Sequence, residues 1–311
     1  MSDTRMKRLL DRLNDTEKAD LLLELSAGDM SSLDQTDEFE IDLIAEYSEG
    51  IKFSLANWGK HQGIDWGYKS LNEMTLGMTD GEVLLLSGDS NHGKTQLALN
   101  MAYAQAKMDN MVFFITLEMT QEQIGARIAK TGMQRGMSFE DAVGLPVTVQ
   151  RTKRLDYRNV GTIVAQAKRN GAKIVFLDHI HSFARSSSAN KTTEVAAISM
   201  EIKRAALENN ISIVALAQCR KLEDYNGKPR KPNKNDLKDA SELYQDCDMC
   251  LMVWRDKFSE GGKHANKVEV RIWKNRLREM RYGHQVKNYI SMDGATMIDD
   301  PADGSEMFPK S

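Results

Sequence analysis

The sequence predicts an α/β fold: a mostly parallel central sheet with helices on both faces, antiparallel strands added at the C-terminal edge, and a small N-terminal helical segment. Three observations carry this reading. Gly88-Asp89-Ser90-Asn91-His92-Gly93-Lys94-Thr95 satisfies G-x-x-x-x-G-K-[ST] between an apolar run and a helical run. From about residue 60, short apolar runs alternate with helical patterns, the order that joins parallel strands by crossover helices. After residue 248 the pattern changes to strand upon strand.

At the N-terminus, Met6, Leu9, Leu10 and Leu13 follow helical i, i+3, i+4, i+7 spacing. Asn14 with Glu17 forms a capping-box pattern that opens a second helix ending near Gly28, and residues 31–37 read as a polar linker before a third helix over 38–48. Helices this short bury little surface of their own, so they are expected to lean on the main domain or on a neighbouring subunit. Strands are predicted at 82–87, 112–117, 146–150, 173–177 and 211–217, and helices at 96–102, from Thr120, at 156–170 and at 192–209. The last of these helices sets Val195, Ile198, Ile202, Ala205 and Ala206 on one side. Runs at 249–254, 268–273 and 285–291 are predicted to form antiparallel hairpins at one sheet edge. Residues 299–311 are polar with Pro301 and Pro309 and are predicted to be disordered. The organisation is therefore an acidic head and linker over 1–50, one large domain over 51–298, and a tail.

A net charge of −3 over 311 residues excludes a basic nucleic-acid coat. The charge is uneven, with 14 Asp/Glu against 5 Lys/Arg in residues 1–50 and a net positive remainder. Cys219, Cys247 and Cys250 are too few for a disulfide scaffold in a chain of this length. No apolar run approaches the roughly 20 residues of a membrane span, and the charged N-terminus lacks a signal-peptide core. The expectation is a soluble cytoplasmic protein with no membrane partner.

A glycine-rich turn between strand and helix lets the backbone N–H groups of residues 88–95 wrap a polyphosphate at the positive end of the helix. Lys94 is placed to reach the β- and γ-phosphates and the Thr95 hydroxyl to hold Mg²⁺, so the implied cofactors are ATP or another NTP, with Mg²⁺. Ile174-Val175-Phe176-Leu177-Asp178 is an apolar strand ending in one carboxylate, which emerges beside the phosphate loop as a second Mg²⁺ holder. The residue after Asp178 is His179, so the water-activating carboxylate does not follow directly. Glu118, at the end of the 112–117 strand, is the candidate.

Thr116-Leu117-Glu118-Met119-Thr120 resembles a segment of DnaB-type replicative ring helicases. The similarity continues through Ala215-Leu216-Ala217-Gln218, Pro232-Asn233-Lys234-Asn235-Asp236-Leu237-Lys238, Gln245-Asp246-Cys247-Asp248, Trp254-Arg255-Asp256 and Lys274-Asn275-Arg276, across roughly residues 60–298. The resemblance implies a RecA-like P-loop core and specific roles. Glu118 matches the catalytic glutamate, Asp178 the Mg²⁺-linked aspartate, and Gln218 the γ-phosphate sensor. Lys274 and Arg276 match a Lys-x-Arg pair that reaches into the next subunit's ATP site. Loops over 185–193 and 220–241 match those that grip single-stranded DNA, with Arg220, Lys221 and Lys238 the chosen contacts. The implied protein is an ATP-driven helicase that assembles as a homo-oligomer, a hexamer, and translocates on single-stranded DNA. Primase, a polymerase or a helicase loader are further implied partners. A RecA-type recombinase and a nucleotide-switched DNA-binding scaffold remain open as alternatives.

Departures from the family are equally visible. The resemblance does not reach residues 1–50, whose short acidic head suggests a phage-encoded or reduced member working in a bacterial host cytoplasm. The Gly-Pro usual after the finger is replaced by Leu277-Arg278-Glu279. His179-x-His181 has no third ligand nearby in sequence and is expected to lead away from the ATP site, and Cys247-x-x-Cys250 reads as buried thiols. The 18 methionines read as core fillers, and Trp58 and Trp66 as anchors for the segment entering the main domain.

Overall fold

The computed structural model describes residues 63–152, 157–182, 191–220, 230–237, 241–255, 267–276, 286–293 and 296–299. All lie within one unit, Asn57–Ser311. The predicted head helices, Trp58, Lys221, Lys238 and the tail beyond 299 lie outside the described residues. Among the described residues, nine strands form one sheet: β1 (Val83–Gly88), β2 (Val112–Thr116), β3 (Val147–Arg151), β4 (Ile174–Asp178), β5 (Ser212–Gln218), β6 (Met249–Arg255), β7 (Lys267–Asn275), β8 (Val286–Asp293) and β9 (Thr296–Asp299). Their order is β3-β2-β4-β5-β1-β6-β7-β8-β9. The first six are parallel, and β7, β8 and β9 add antiparallel.

Strands β1, β2 and β4 are buried along their whole length, as expected where helices cover both faces of a parallel sheet. Alternation then sorts their side chains into two cores. Leu84, Leu86, Phe114, Phe176, Val214 and Leu216 face one side, with Leu97, Met101 and Tyr103 of helix α2 (Lys94–Lys107) and Ile124 and Ile128 of α3 (Gln121–Gln134). Helix α1 (Lys69–Thr75) closes that face, with Trp66 fully buried and its indole N–H donating to Thr75 Oγ1 at 2.9 Å. Leu85, Phe113, Ile115, Val175 and Ile213 face the other side, against α5 (Tyr157–Arg169) and α6 (Lys191–Glu208). Among the described residues, the remaining α-helices are the short α4 (Phe139–Val143) and α7 (Ser241–Asp246).

Two expectations are corrected. β6 pairs antiparallel with β7 as expected, but its other side lies parallel to β1, with Gly88 opposite Val253, because it returns to the free side of β1 after α7. The antiparallel part starts at β7 and includes β9, so residue 299 closes a strand rather than opening the tail. α4 and α7, with five and six residues, are too short to impose a periodicity on the sequence.

Phe176 sits at the centre of the first core, stacked on Phe114 with ring centroids 5.5 Å apart and planes 9° from parallel. Phe176→Ala should cost about 3–5 kcal/mol of unfolding free energy in urea titrations, because a rigid sheet cannot collapse onto the void. A loss below about 1 kcal/mol would contradict this packing.

Candidate active site

The carboxyl ends of the parallel strands deliver the site. β1 ends at Gly88, and an added Cβ there would sit 2.9 Å from the carbonyl oxygen of Val253, so the residue must be glycine for β1 to pass this close to β6. The loop then turns through Asn91 and Gly93, both with positive φ, and Gly93 caps α2. No side chain caps that helix start, and its first residues, Lys94, Thr95 and Gln96, line a cleft.

A cleft of about 440 Å³ opens above this loop, lined by Ser90, Lys94, Thr95, Glu118, Asp178, Gln218 and neighbouring residues. Lys94 Nζ donates to the carbonyl of Ala217 at 3.2 Å, which lays the side chain along the end of β5. Burial lowers its pKa below the usual lysine range, and the nearby Asp178 charge restores part of that loss. Asp178 is buried and held by a hydrogen bond from the Thr95 side chain; burial pushes its pKa up to about 6, with Lys94 opposing the shift and Glu118 adding to it.

Glu118 reaches the same place from the adjacent strand, since Thr116 of β2 pairs with Asp178 of β4. Thr116 Oγ1 accepts from the N–H groups of both Glu118 and Met119 at 3.2 Å, pinning the turn that carries the glutamate. Thr120 then caps α3 through a capping box with Gln123. Gln218, at the end of β5, donates from Nε2 to Ser90 Oγ at 2.8 Å and so touches the phosphate loop directly.

His179 corrects the sequence reading. It does not lead away from the cleft: its Nδ1 lies 3.0 Å from Glu118 Oε1 and 2.9 Å from Ser182 Oγ, and it lines the pocket. One donor atom each from Glu118, Asp178 and His179 fall within 4.8 Å of one another. His181 does turn inward, buried, accepting the Gln218 N–H at 3.2 Å. His92 turns from the loop onto the ring of Trp254, centroids 6.4 Å apart, and its Nδ1 accepts the Arg255 N–H at 2.9 Å. Cys219, Cys247 and Cys250 are buried free thiols.

Two cationic cleft residues carry no site signal in the sequence reading. Arg255 ends β6, and the carboxyl-edge rule would have marked it had β6 been recognised as parallel. Arg127 reaches in from α3, and nothing in its sequence neighbourhood announces it. Lys274 and Arg276 are absent from the cleft lining. They lie on and just after β7, where Lys274 Nζ donates to the carbonyls of Tyr244 and Gln245 at 2.7 Å each and Arg276 Nη1 lies 3.0 Å from Asp248 Oδ1. Arg220 is exposed two residues beyond Gln218.

With this geometry established, comparison with known proteins places the chain. Residues 63–137 and 131–284 match the DnaB-like helicase C-terminal domain family. The chain belongs to this family. The DnaB-like domain is 27% identical over 239 residues to the replicative DNA helicase DnaB of Buchnera aphidicola subsp. Acyrthosiphon pisum, covering 69% of this chain and 52% of the relative. It is 25% identical over 260 residues to that of Haemophilus influenzae, covering 73% and 53%. It is 28% identical over 239 residues to a probable plasmid replicative DNA helicase of Chlamydia psittaci, covering 69% and 51%. The chain thus spans about half the length of the curated relatives it matches.

Among solved structures, an isolated ATPase domain superposes with a TM-score of 0.71 at 21% identity, over 84% of this chain and 99% of that one. A DnaB-like replicative helicase studied for its interactions with primase gives 0.68 at 20%, over 95% and 74%. These likenesses establish the RecA-like helicase fold expected from the sequence.

The buried Asp178 yields a stability prediction. A carboxyl whose folded pKa is raised to about 6 favours folding below the ordinary aspartate range, and that contribution is lost as pH rises through about 6. At about pH 7.5 the ion-free chain carries the full penalty, net of the Lys94 attraction, so Asp178→Asn should raise urea-unfolding stability by on the order of 2 kcal/mol. The gap should shrink as pH falls towards about 5. A variant less stable than the parent at about pH 7.5 would contradict this electrostatic picture.

Proposed function

We propose that this chain is an ATP-driven replicative helicase motor, translocating on single-stranded DNA within a homo-oligomeric ring, a hexamer. The observation that carries the reading is one cleft gathering Lys94, Thr95, Asp178, Glu118 and Gln218 while the family's cationic pair, Lys274 and Arg276, stays outside it. Family membership supports the same conclusion.

The residues present fit a nucleotide with Mg²⁺. The uncapped start of α2 suits a phosphate, and Asp178 and Thr95, already hydrogen-bonded to each other, are the donors a hard cation takes. Mg²⁺, held by Asp178 and Thr95, would neutralise phosphate charge there. A triphosphate offers Lys94 a stronger partner than the Ala217 carbonyl, and the desolvated ammonium is worth more there than in water. Glu118 orients a water for attack and accepts its proton, a role its half-exposed position at the cleft mouth permits. Gln218 bridges the loop and β5, so a change at the γ-phosphate passes to Arg220 and the cationic stretch 220–241. That stretch, with Lys221 and Lys238, holds the DNA backbone by charge, which makes binding steeply salt-dependent. Lys274 and Arg276 complete the cleft of an adjacent subunit, adding fixed cations where charge develops.

The primase named with one structural neighbour is a candidate partner, as are a polymerase and a helicase loader. The RadB recombinase shares the core fold at a TM-score of 0.51 and 16% identity, and no feature of the site favours strand exchange over translocation.

Forked-duplex unwinding with ATP and Mg²⁺ tests the proposal. Lys94→Ala should abolish unwinding and lower DNA-stimulated ATP turnover at least about a hundredfold. Unwinding that persists undiminished in this variant overturns it.

A further inference from the structure

Helix α7 lies between two parts of the proposed cycle that are far apart in sequence. Its start is covalently continuous with the cationic stretch, whose described ends are tied down. The Arg220 N–H donates to the Asp236 carbonyl at 2.7 Å, Cys219 bridges Leu237, and Arg230 pairs with the buried Asp236 carboxylate at 2.5 Å. At its other end α7 grips the segment that carries the two cations. Lys274 donates to the Tyr244 and Gln245 carbonyls and Arg276 Nη2 to the Gln245 carbonyl at 3.1 Å, while the Tyr244 hydroxyl donates to the Trp273 carbonyl at 2.9 Å. Lys274 Nζ also stands 5.4 Å over the Tyr244 ring. These carbonyls form the electronegative end of a helix, so two cations are well placed there.

Asp248, just past the helix, fixes this arrangement to the sheet. One carboxylate oxygen accepts from the Val83 N–H at 2.8 Å and from Lys203 Nζ at 2.7 Å; the other faces Arg276, whose own N–H donates to the Asp248 carbonyl at 3.0 Å. The carboxylate is thus shared between the start of β1 and the Arg276 guanidinium.

We infer that the carboxyl end of α7 and Asp248 form a positioning relay that holds Lys274 and Arg276 in one attitude. The inference rests on the proposed reading that these two cations act across a subunit interface. It assigns no substrate contact to Asp248 or Tyr244: both act through other residues.

Asp248→Asn isolates the relay. The amide keeps its oxygen for Val83 and Lys203 and turns an N–H₂ on the guanidinium, so the sheet contact survives while the carboxylate's hold on Arg276 Nη1 is lost. Steady-state ATP turnover on single-stranded DNA is measured for the parent, D248N, R276A and the double variant, with assembly mass checked for each. The relay requires R276A to lower kcat by about a hundredfold and D248N by about tenfold, with KM for ATP within about twofold of the parent. The double variant should then be no slower than R276A alone, because Asp248 acts through Arg276. Unchanged or raised kcat in D248N, or losses that multiply in the double variant, overturn the relay. An R276A kcat equal to the parent's overturns the interface reading instead. If D248N does not fold, Tyr244→Phe replaces it: the ring stays over Lys274 while the tie to Trp273 is lost, and a kcat drop of about threefold at constant KM is required.

Discussion

The structure depends on the parallel register of five strands that end along one edge. Thr116 lies opposite Asp178, Gly88 opposite both Gln218 and Val253, and this alignment alone brings Lys94, Glu118, Asp178, Gln218 and Arg255 to one cleft. Side chains alternate across a sheet, so a slip of one residue in any strand would point its terminal group at the opposite face. The two apolar cores prevent the slip, because each is built from every second residue of the same strands. Packing and chemistry are therefore one specification: the Phe113/Phe114 alternation that fills both cores also delivers Glu118 four residues later.

The edge carries an electrostatic cost. Asp178 is buried beside Lys94, yet burial outweighs the attraction and pushes its carboxyl up to about 6. The lysine is in turn held below its usual range. A pair so poorly solvated gains from a bound polyanion and cation more than an exposed pair would, which is how stability given up in the empty site becomes binding energy. The remaining cations of the proposed cycle are kept elsewhere. Lys274 and Arg276 rest on the C-terminal carbonyls of α7 and on Asp248, on the far side of β6 from the phosphate loop.

Much of this was legible in the sequence because the signals are local. The strand–loop–helix around residues 83–107, the apolar strand closing on Asp178, and the acidic end of the 112–117 run each report a site through contiguous residues. β6 was misread because strand direction is set by which neighbour a strand finds, and its return beside β1 depends on α7, a six-residue helix below the reach of periodicity. That error hid Arg255. His179 was misjudged because adjacency in sequence to Asp178 says nothing of Glu118, its partner from a different strand. Arg127 reaches the cleft by side-chain length from a helix face, which no motif encodes.

The central claim is that each nucleotide cleft is completed by cations from an adjoining subunit. Mixing two inactive variants tests it most directly: Lys94→Ala disables a subunit's own cleft, whereas Arg276→Ala disables only its neighbour's. If the cations act across the interface, a mixed assembly contains intact pairings of an R276A cleft with a K94A donor. ATP turnover should then recover to roughly a quarter of the parent's at equal mixing. Mixed assemblies as inactive as either variant alone, with subunit exchange verified by mass, would contradict the account.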